Sequence, residues 1–320
     1  SENATCTTVN KVCASGMKAV MYGAQSIALG SGQIVVAGGF ESMSNVPYYL
    51  PAARYGMRLG HGQVVDGIIK DGLWDVYNNI HMGSCAEKTA KDHGLTREMQ
   101  DAFAEASYAR ARAATAAGHL KREIVGVPLP DKKGGGEKLY EADEELTRAF
   151  DAAKMRTMKP AFAKDGTITA ANASKLNDGA AALVLMSAAA ASAAGIKPLA
   201  RIVAFGDGEA APIDFPTAPA RAIKVALARA RLTAKDIDYH EVNEAFATVV
   251  LANNKLLGVD GERVNVFGGA VALGHPIGCS GARIIGTLLN VLATKDGKLG
   301  MASICNGGGG ASAIIVERLN

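Results

Sequence analysis

The sequence predicts an α/β fold made of two related halves, with an irregular segment inserted in the first. Three observations lead there. Apolar runs of strand length alternate with helical apolar spacing at both ends of the chain. A unit near the start, Cys13-Ala14-Ser15-Gly16 followed by helix, strand and Gly38-Gly39, is echoed near the end. The echo is Gly278-Cys279-Ser280-Gly281, then helix, strand and Asn306-Gly307-Gly308, which reads as a degenerate internal duplication. Between them, residues 44–175 change in texture to a mixture of Gly, Pro, aromatic and charged residues.

Each element has a local reason. Residues 14–29 place Met17, Val20, Met21, Ala24, Ile27 and Ala28 at helical spacing, and Gly30 and Gly32 end the run. Residues 34–37 read as a short buried strand closed by Gly38-Gly39. Within the insertion, a helix covers residues 97–117, residues 130–136 form a loop or hairpin tip, and residues 141–145 make a solvated acidic face. Residues 181–186 are a buried strand, followed by an Ala-rich helix to Ala194 with Gly195 at its C-cap. Beyond Pro198, residues 201–205 and 237–242 read as strands, and 219–231 and 244–257 as helices. Residues 278–293 are a further helix, and 299–305 with 311–317 close as a pair of strands. The division is then residues 1–43 and 176–197 for the first half, 44–175 for the inserted loop domain and 198–320 for the second half. If the halves pair, the first lacks its leading strands and helices, so the chain is expected to begin inside a domain.

Composition narrows the function classes. The 320 residues allow about two domains at roughly 150 residues each. Apolar residues at 48% and charged residues at 20% exclude a disordered chain. A net charge of +3 is too mild to argue for nucleic acid, though it leaves room for a local basic pocket that holds a phosphorylated ligand. The five cysteines are odd in number and sparse, which fits a reducing compartment, and the lack of a C-x2-C pair argues against zinc. Residues 179–196 form an uncharged run of 18, but Ala, Ser and Gly make its transfer into lipid poor, so no membrane partner is expected. No signal or transit segment is visible.

Four patterns carry chemistry. In Val9-Asn10-Lys11-Val12-Cys13-Ala14-Ser15-Gly16, a cysteine at a helix start feels the positive end of the dipole, which favours thiolate. An inert buried cysteine gives the same pattern. In Glu241-Val242-Asn243-Glu244-Ala245-Phe246, at a strand end, Asn243 is placed to hold a water or a substrate oxygen, or to cap the helix that follows. In Gly268-Gly269-Ala270-Val271-Ala272-Leu273-Gly274-His275-Pro276-Ile277-Gly278, glycines crowd one histidine, which can serve as base or oxyanion donor; Cys279 just beyond is a packing residue. In Cys305-Asn306-Gly307-Gly308-Gly309-Gly310, a second cysteine faces acid/base work, with glycine N–H groups able to hold an oxyanion. A tight hairpin needs fewer glycines, and the spacing is not that of a dinucleotide loop.

In this order and spacing, the motifs Asn10–Gly16, Asn243-Glu244-Ala245-Phe246, Gly274-His275-Pro276-Ile277-Gly278 and Cys305–Gly309 resemble the thiolase family. Supporting stretches are residues 80–87, 170–174 and 212–216, and the likeness spans the whole chain. Within the family it leans to the mitochondrial acetoacetyl-CoA branch. The resemblance implies duplicated α/β halves in five layers (αβαβα) with an inserted loop domain, and roughly a hundred residues ahead of Ser1. It implies an acyltransferase that condenses two acetyl-CoA to acetoacetyl-CoA and CoA, reversibly, through an acetyl-cysteine. A degradative 3-ketoacyl-CoA thiolase and a non-catalytic acyl-CoA-binding paralogue are the alternatives.

Carried over by position, the resemblance gives Cys13 as nucleophile, His275 as acceptor of its proton and Cys305 as the α-proton base. His275 and a water on Asn243 hold one thioester oxygen, and the N–H groups of Cys13 and Gly307 hold the other. Ser174 meets pantetheine, Asp151 and Lys154 lie toward the nucleotide, His81 and Met82 line the acyl pocket, and Phe215 shapes its wall. No covalent cofactor is implied. A potassium ion is implied, held by Tyr108 and by the carbonyls of Ala170, Ala171, Ala173 and Val271. A homo-oligomer (tetramer or dimer) and a mitochondrial location, with the cytoplasm as alternative, complete what it implies.

Overall fold

The computed structural model describes residues 2–131, 134–148 and 150–319. In chain order the main helices are α1 (Ser15–Ala28), α2 (Met82–His93), α3 (Arg97–Ala116), α4 (Ala218–Ala230), α5 (Ala247–Leu257) and α6 (Ile277–Thr294). The main strands are β1 (Ile34–Ser42), β2 (Asp178–Met186), β3 (Ala200–Glu209), β4 (Tyr239–Val242), β5 (Leu299–Asn306) and β6 (Gly310–Arg318). They stack as sheet, helix, sheet, helix. β1 and β2 pair antiparallel, Ile34 opposite Met186 and Ser42 opposite Asp178. The second sheet runs β4-β5-β6-β3, with β4 parallel to β5 and the other pairs antiparallel. α1 and α6 lie between the two sheets, and α4 covers the far face of the second.

Pleating sorts the second sheet into two cores. Ala302 and Ile304 on β5, with Ile314 and Val316 on β6, face Met17, Met21, Ile284, Leu288 and Leu292 of the central helices. Met301, Ala313 and Ile315 face Ile223, Ala226 and Leu227 of α4. A sheet covered on both faces needs apolar side chains at successive positions, which is why β5 and β6 read as continuous apolar runs.

The central helices approach closely at their starts. A Cβ on Gly16 would lie 2.8 Å from the Ala282 nitrogen, and one on Gly281 would lie 2.4 Å from the Met17 nitrogen. These are the last residues of the two echoed motifs. Glu41 on β1 seals the start of α6, its Oε2 accepting the Gly278 N–H at 3.0 Å.

Several expectations need correction. The first strand does not stop at Gly38-Gly39 but continues to Ser42. It passes so near its neighbours that a Cβ on Gly38 would sit 2.1 Å from the Ala181 oxygen, and one on Gly39 1.9 Å from the Gly278 oxygen. β2 alternates between exposed and half-buried positions rather than being buried, and Val36, Phe40 and Val184 are exposed. α2, unforeseen, is capped by His81, whose Nδ1 accepts the Gly83 N–H. α5 begins at Ala247, so Glu244 precedes it. Glu145, expected on a solvated face, is buried and paired with Arg148 at 2.8 Å. The expected tip is a hairpin of Val127–Pro130 with Glu137–Tyr140; Lys132 and Lys133 lie outside the described residues. α6 is long and apolar enough to cross a membrane by length and composition, yet it is the central helix and mostly buried.

Two glycines of α6 test the close approach. Gly281→Ala pushes a methyl into the α1 backbone and should destabilise by about 1–3 kcal/mol. Gly286, whose added Cβ would meet nothing within 4 Å, should accept alanine and gain about 0.5–1 kcal/mol. Urea unfolding of both variants checks the pair; equal effects would remove the steric argument.

Candidate active site

The chain enters α1 through a short turn, Val12–Ala14. Val12 sits at φ +49°, an uncommon conformation for a branched residue. Local bonds hold it there. Asn10 Oδ1 accepts the Val12 N–H at 2.9 Å, and Ser15 Oγ donates to the Val12 carbonyl at 2.6 Å while accepting from the Lys11 N–H. This accounts for Asn10, Val12 and Ser15 around Cys13. Burial pushes the Cys13 thiol up to about 12, with Gly307, whose N–H donates to its sulfur, working the other way. In the resting site burial therefore outweighs the pull of the helix start, and the thiol is protonated at neutral pH.

His275 follows Gly274, which lies at φ +97° and leaves no room for a Cβ beside Asn177. Its N–H donates to the Lys175 carbonyl at 2.9 Å. Ser280 Oγ donates to the Pro276 carbonyl at 3.0 Å and lies 2.6 Å from His275 Nδ1. A hydroxyl that spends its proton on the carbonyl accepts from Nδ1–H, so the network assigns the proton to Nδ1. Nε2 then has a free lone pair, with Asn243 Nδ2 at 3.3 Å. Burial, with the Arg283 charge second, holds the imidazole down to about 3.

Asn243 is not a helix cap. Its N–H donates to the Ser303 carbonyl at 3.0 Å, and its buried Oδ1 has no protein partner among the described residues. Glu244, next in the chain, is a buried anchor. It accepts from Ser107 Oγ (2.7 Å), Asn265 Nδ2 (2.9 Å) and the Val271 N–H (3.0 Å), tying α3 to the segment that leads to His275. Cys305 is the last residue but one of β5 and is fully buried; burial first, and negative charge on Cys13 second, push its thiol well above the ordinary range. A Cβ on Gly307, in the turn after Cys305, would meet Met82 Cε at 3.2 Å.

The proposed ligand-binding residues separate into groups. Met82, Phe215, Ala173, Phe246 and Cys305 share one apolar cluster. His81 stacks on Phe162 at 4.8 Å, and Phe162 meets Phe246 edge-on. Ser174 donates its N–H to the Ala245 carbonyl at 3.0 Å, which fixes it beside the Asn243 strand end. Asp151 and Lys154 are exposed, and Asp151 caps its own short helix by accepting the Lys154 N–H at 2.9 Å. Among the described residues, no hydrogen bond or ion pair joins these two to the segments carrying the thiols. Sequence reasoning missed Ser280, Glu244 and Lys175; Ser280 was visible only as one member of the echoed motif.

The cation site differs from expectation. The carbonyls of Ala170, Ala173 and Val271 do converge, but on the ammonium of Lys175, at 2.9, 3.1 and 3.4 Å. Tyr108 presents its ring face to that ammonium, 5.7 Å away, and stacks on Phe150. Ala171 lies in the same turn and donates its N–H to Thr169 Oγ1. A second monovalent cation about 3 Å from the ammonium would meet repulsion of about 5 kcal/mol at an effective dielectric near 20. The residues present do not fit a potassium ion.

The neutral imidazole gives a direct test. Histidine-labelled NMR should show His275 uncharged, with its proton on Nδ1, between about pH 8 and pH 5. Its lowered value also sets a sign: the unfolded chain takes up the proton near 6.5 and the folded one near 3, so this residue's contribution to stability is lost as pH falls through that window. Ser280→Ala should move the proton to Nε2. A His275 midpoint near 6.5 would overturn the assignment.

Comparison with known proteins follows the same line. The family model described as thiolase, N-terminal domain, matches residues 1–189, and that described as thiolase, C-terminal domain, matches residues 196–318. Acetyl-CoA acetyltransferase 2 of Arabidopsis thaliana is 56% identical over 98% of this chain and 78% of its own length. A cytosolic acetyl-CoA acetyltransferase of Gibberella zeae is 52% identical over 98% of this chain and 78% of its own. The crystal structure of Acat5 thiolase from Ascaris suum in complex with coenzyme A superposes with a TM-score of 0.93 at 47% identity, over 100% of this chain and 81% of that one. With both family models matched in register across a fold of the same shape, this chain belongs to the thiolase family.

Proposed function

We propose that this chain is an acetyl-CoA C-acetyltransferase that condenses two acetyl-CoA to acetoacetyl-CoA and CoA, and runs the reverse thiolysis. The observation that supports it is a pair of buried thiols, Cys13 with the Gly307 N–H on its sulfur and Cys305, in a chain that also buries a His275–Asn243 contact at 3.3 Å. The relatives' names supply the substrate class.

In the first half-reaction His275 Nε2 takes the Cys13 proton as sulfur attacks the thioester carbonyl. The C–S bond to CoA breaks and CoA leaves with the Cys305 proton, giving acetyl-Cys13, a Cys305 thiolate and a His275 that keeps the Cys13 proton on Nε2. In the second, the Cys305 thiolate removes a methyl proton from the next acetyl-CoA, and the carbanion attacks acetyl-Cys13; the acetyl C–S bond breaks and the Cys13 sulfur takes its proton back from His275. A water on Asn243 and the Nε2–H that His275 has then acquired hold one thioester oxygen; the Cys13 and Gly307 N–H groups hold the other. Ser280 acts through His275 by fixing its tautomer. Desolvation keeps both thiols protonated until a proton acceptor and an acyl group are in place.

The inserted segment, residues 44–175, is assigned to CoA binding, between the first half (1–43 and 176–197) and the second (198–320). Ser174 is placed for pantetheine, Asp151 and Lys154 for the nucleotide end, and His81 and Met82 for the acyl group. Phe215 forms the wall against which the branch of 2-methylacetoacetyl-CoA rests. The assembly is read as a homo-oligomer, dimer or tetramer. The family resemblance points to the mitochondrion, and the name of the Gibberella relative supports the cytoplasmic alternative; cell fractionation separates them.

Two variants divide the roles. Cys13→Ser should abolish acetyl-enzyme and lower turnover by on the order of 10⁴-fold. Cys305→Ala should still acetylate Cys13 but lose proton exchange at the acetyl-CoA methyl, read by deuterium uptake. Label on Cys305 in place of Cys13 would overturn the assignment. Thiolysis that improves steadily with acyl length would favour the degradative reading, and failure with 2-methylacetoacetyl-CoA would remove the Phe215 role.

A further inference from the structure

The ammonium of Lys175 has three hydrogens and faces three carbonyl oxygens, each at hydrogen-bond distance. Two belong to the turn that ends at Ser174, and the third, Val271, belongs to the segment that ends at His275. The same residue joins the two by its backbone, since the Lys175 carbonyl accepts the His275 N–H at 2.9 Å. Around it, Asn172 builds the turn: Oδ1 accepts the Thr169 N–H, and Nδ2 donates to Asp101 and to the Thr167 carbonyl. The Tyr108 ring closes one side. No carboxylate forms an ion pair with Lys175 among the described residues. The carboxylates of Glu145 and Glu244 act on it through their fields, against the cost of its burial.

We propose that the Lys175 ammonium is the resident cation of this chain, standing where the family resemblance implies a potassium ion, and that it fixes the His275 loop against the turn carrying Ser174. Lys175 is then a positioning residue, since it touches neither thiol. An ion bound from solution is lost by dilution or exchange. An ammonium on a four-carbon stem is always present, so activity is independent of the monovalent salt.

The test uses the full chain in KCl, NaCl and choline chloride at equal ionic strength, with two readouts. The thermal midpoint does not depend on the acyltransferase reading, whereas thiolysis of acetoacetyl-CoA rests on it. For the native protein both should be the same in the three salts. Lys175→Ser, which opens space for an ion and water, should lower kcat roughly ten- to a hundredfold in choline chloride. KCl should restore most of that loss and raise the midpoint. Lys175→Met, which fills the space without charge, should show the loss without the rescue. The native protein needs no variant to answer: a midpoint or rate that falls when KCl is replaced by choline chloride would overturn the proposal. So would a Lys175→Ser protein that matches the native one in choline chloride. Absence of thiolysis with a salt-independent midpoint would reject the function while leaving the resident cation standing.

Discussion

Everything in the site depends on how closely two helices meet. Gly16 and Gly281 let the starts of α1 and α6 come within backbone contact between the sheets. The chain just before each helix carries one of the two residues proposed for the chemistry, Cys13 for α1 and His275 for α6. The echoed Ser-Gly pairs now have a physical meaning. The glycine of each permits the crossing, and the serine of each bonds a carbonyl in the preceding turn, Ser15 to Val12 and Ser280 to Pro276. On the proposed mechanism a duplicated unit keeps its geometry while its chemistry diverges, a nucleophile on one side and a proton acceptor on the other.

Burial then decides the charge state. A thiolate and an imidazolium attract one another, but both lose hydration inside the protein, and at this depth the loss dominates. The resting pair is neutral. On the proposed mechanism, Asn243 and the Gly307 N–H are polar contacts made in advance where charge develops during reaction. Glu244 does structural service of the same kind. Its three bonds reach α3, Asn265 and Val271, so the histidine loop is referenced to the scaffold by one carboxylate.

Much of this was legible in the sequence. The strands β5 and β6 and the helices α1, α3 and α6 follow from periodicity, and the local motifs single out Cys13, Asn243, His275 and Cys305, of which Asn243 and His275 meet at 3.3 Å. What was missed has one kind of cause. Gly38-Gly39 looked like a turn because glycine usually breaks a strand, but here it lets a neighbour approach, and that neighbour is 239 residues away at Gly278. Glu145 looked solvated because its acidic neighbours are, and its burial comes from tertiary packing. Lys175 belongs to no motif in the sequence, and its role comes from three carbonyls that meet only in the fold, those of Ala170, Ala173 and Val271. Asp151 caps its own helix, a use that a sequence match to ligand-binding positions does not distinguish from contact with a nucleotide.

The burial of the cysteines has a consequence beyond catalysis. All five are free thiols, and Cys13, Cys85, Cys279 and Cys305 are buried while Cys6 is exposed. In the native protein, burial lifts Cys13 and Cys85 to about 12 and Cys279 to about 11, which keeps them poor targets for oxidants. In an unfolded chain these thiols revert to the ordinary value of 9.0, where about a tenth of each is ionised at pH 8. Loss of structure and susceptibility to oxidation are therefore one event. A chain that opens, even briefly, presents several reactive sulfurs at once, and mispairing among them makes the opening hard to reverse. The fold that buries these thiols is also what keeps them from ageing.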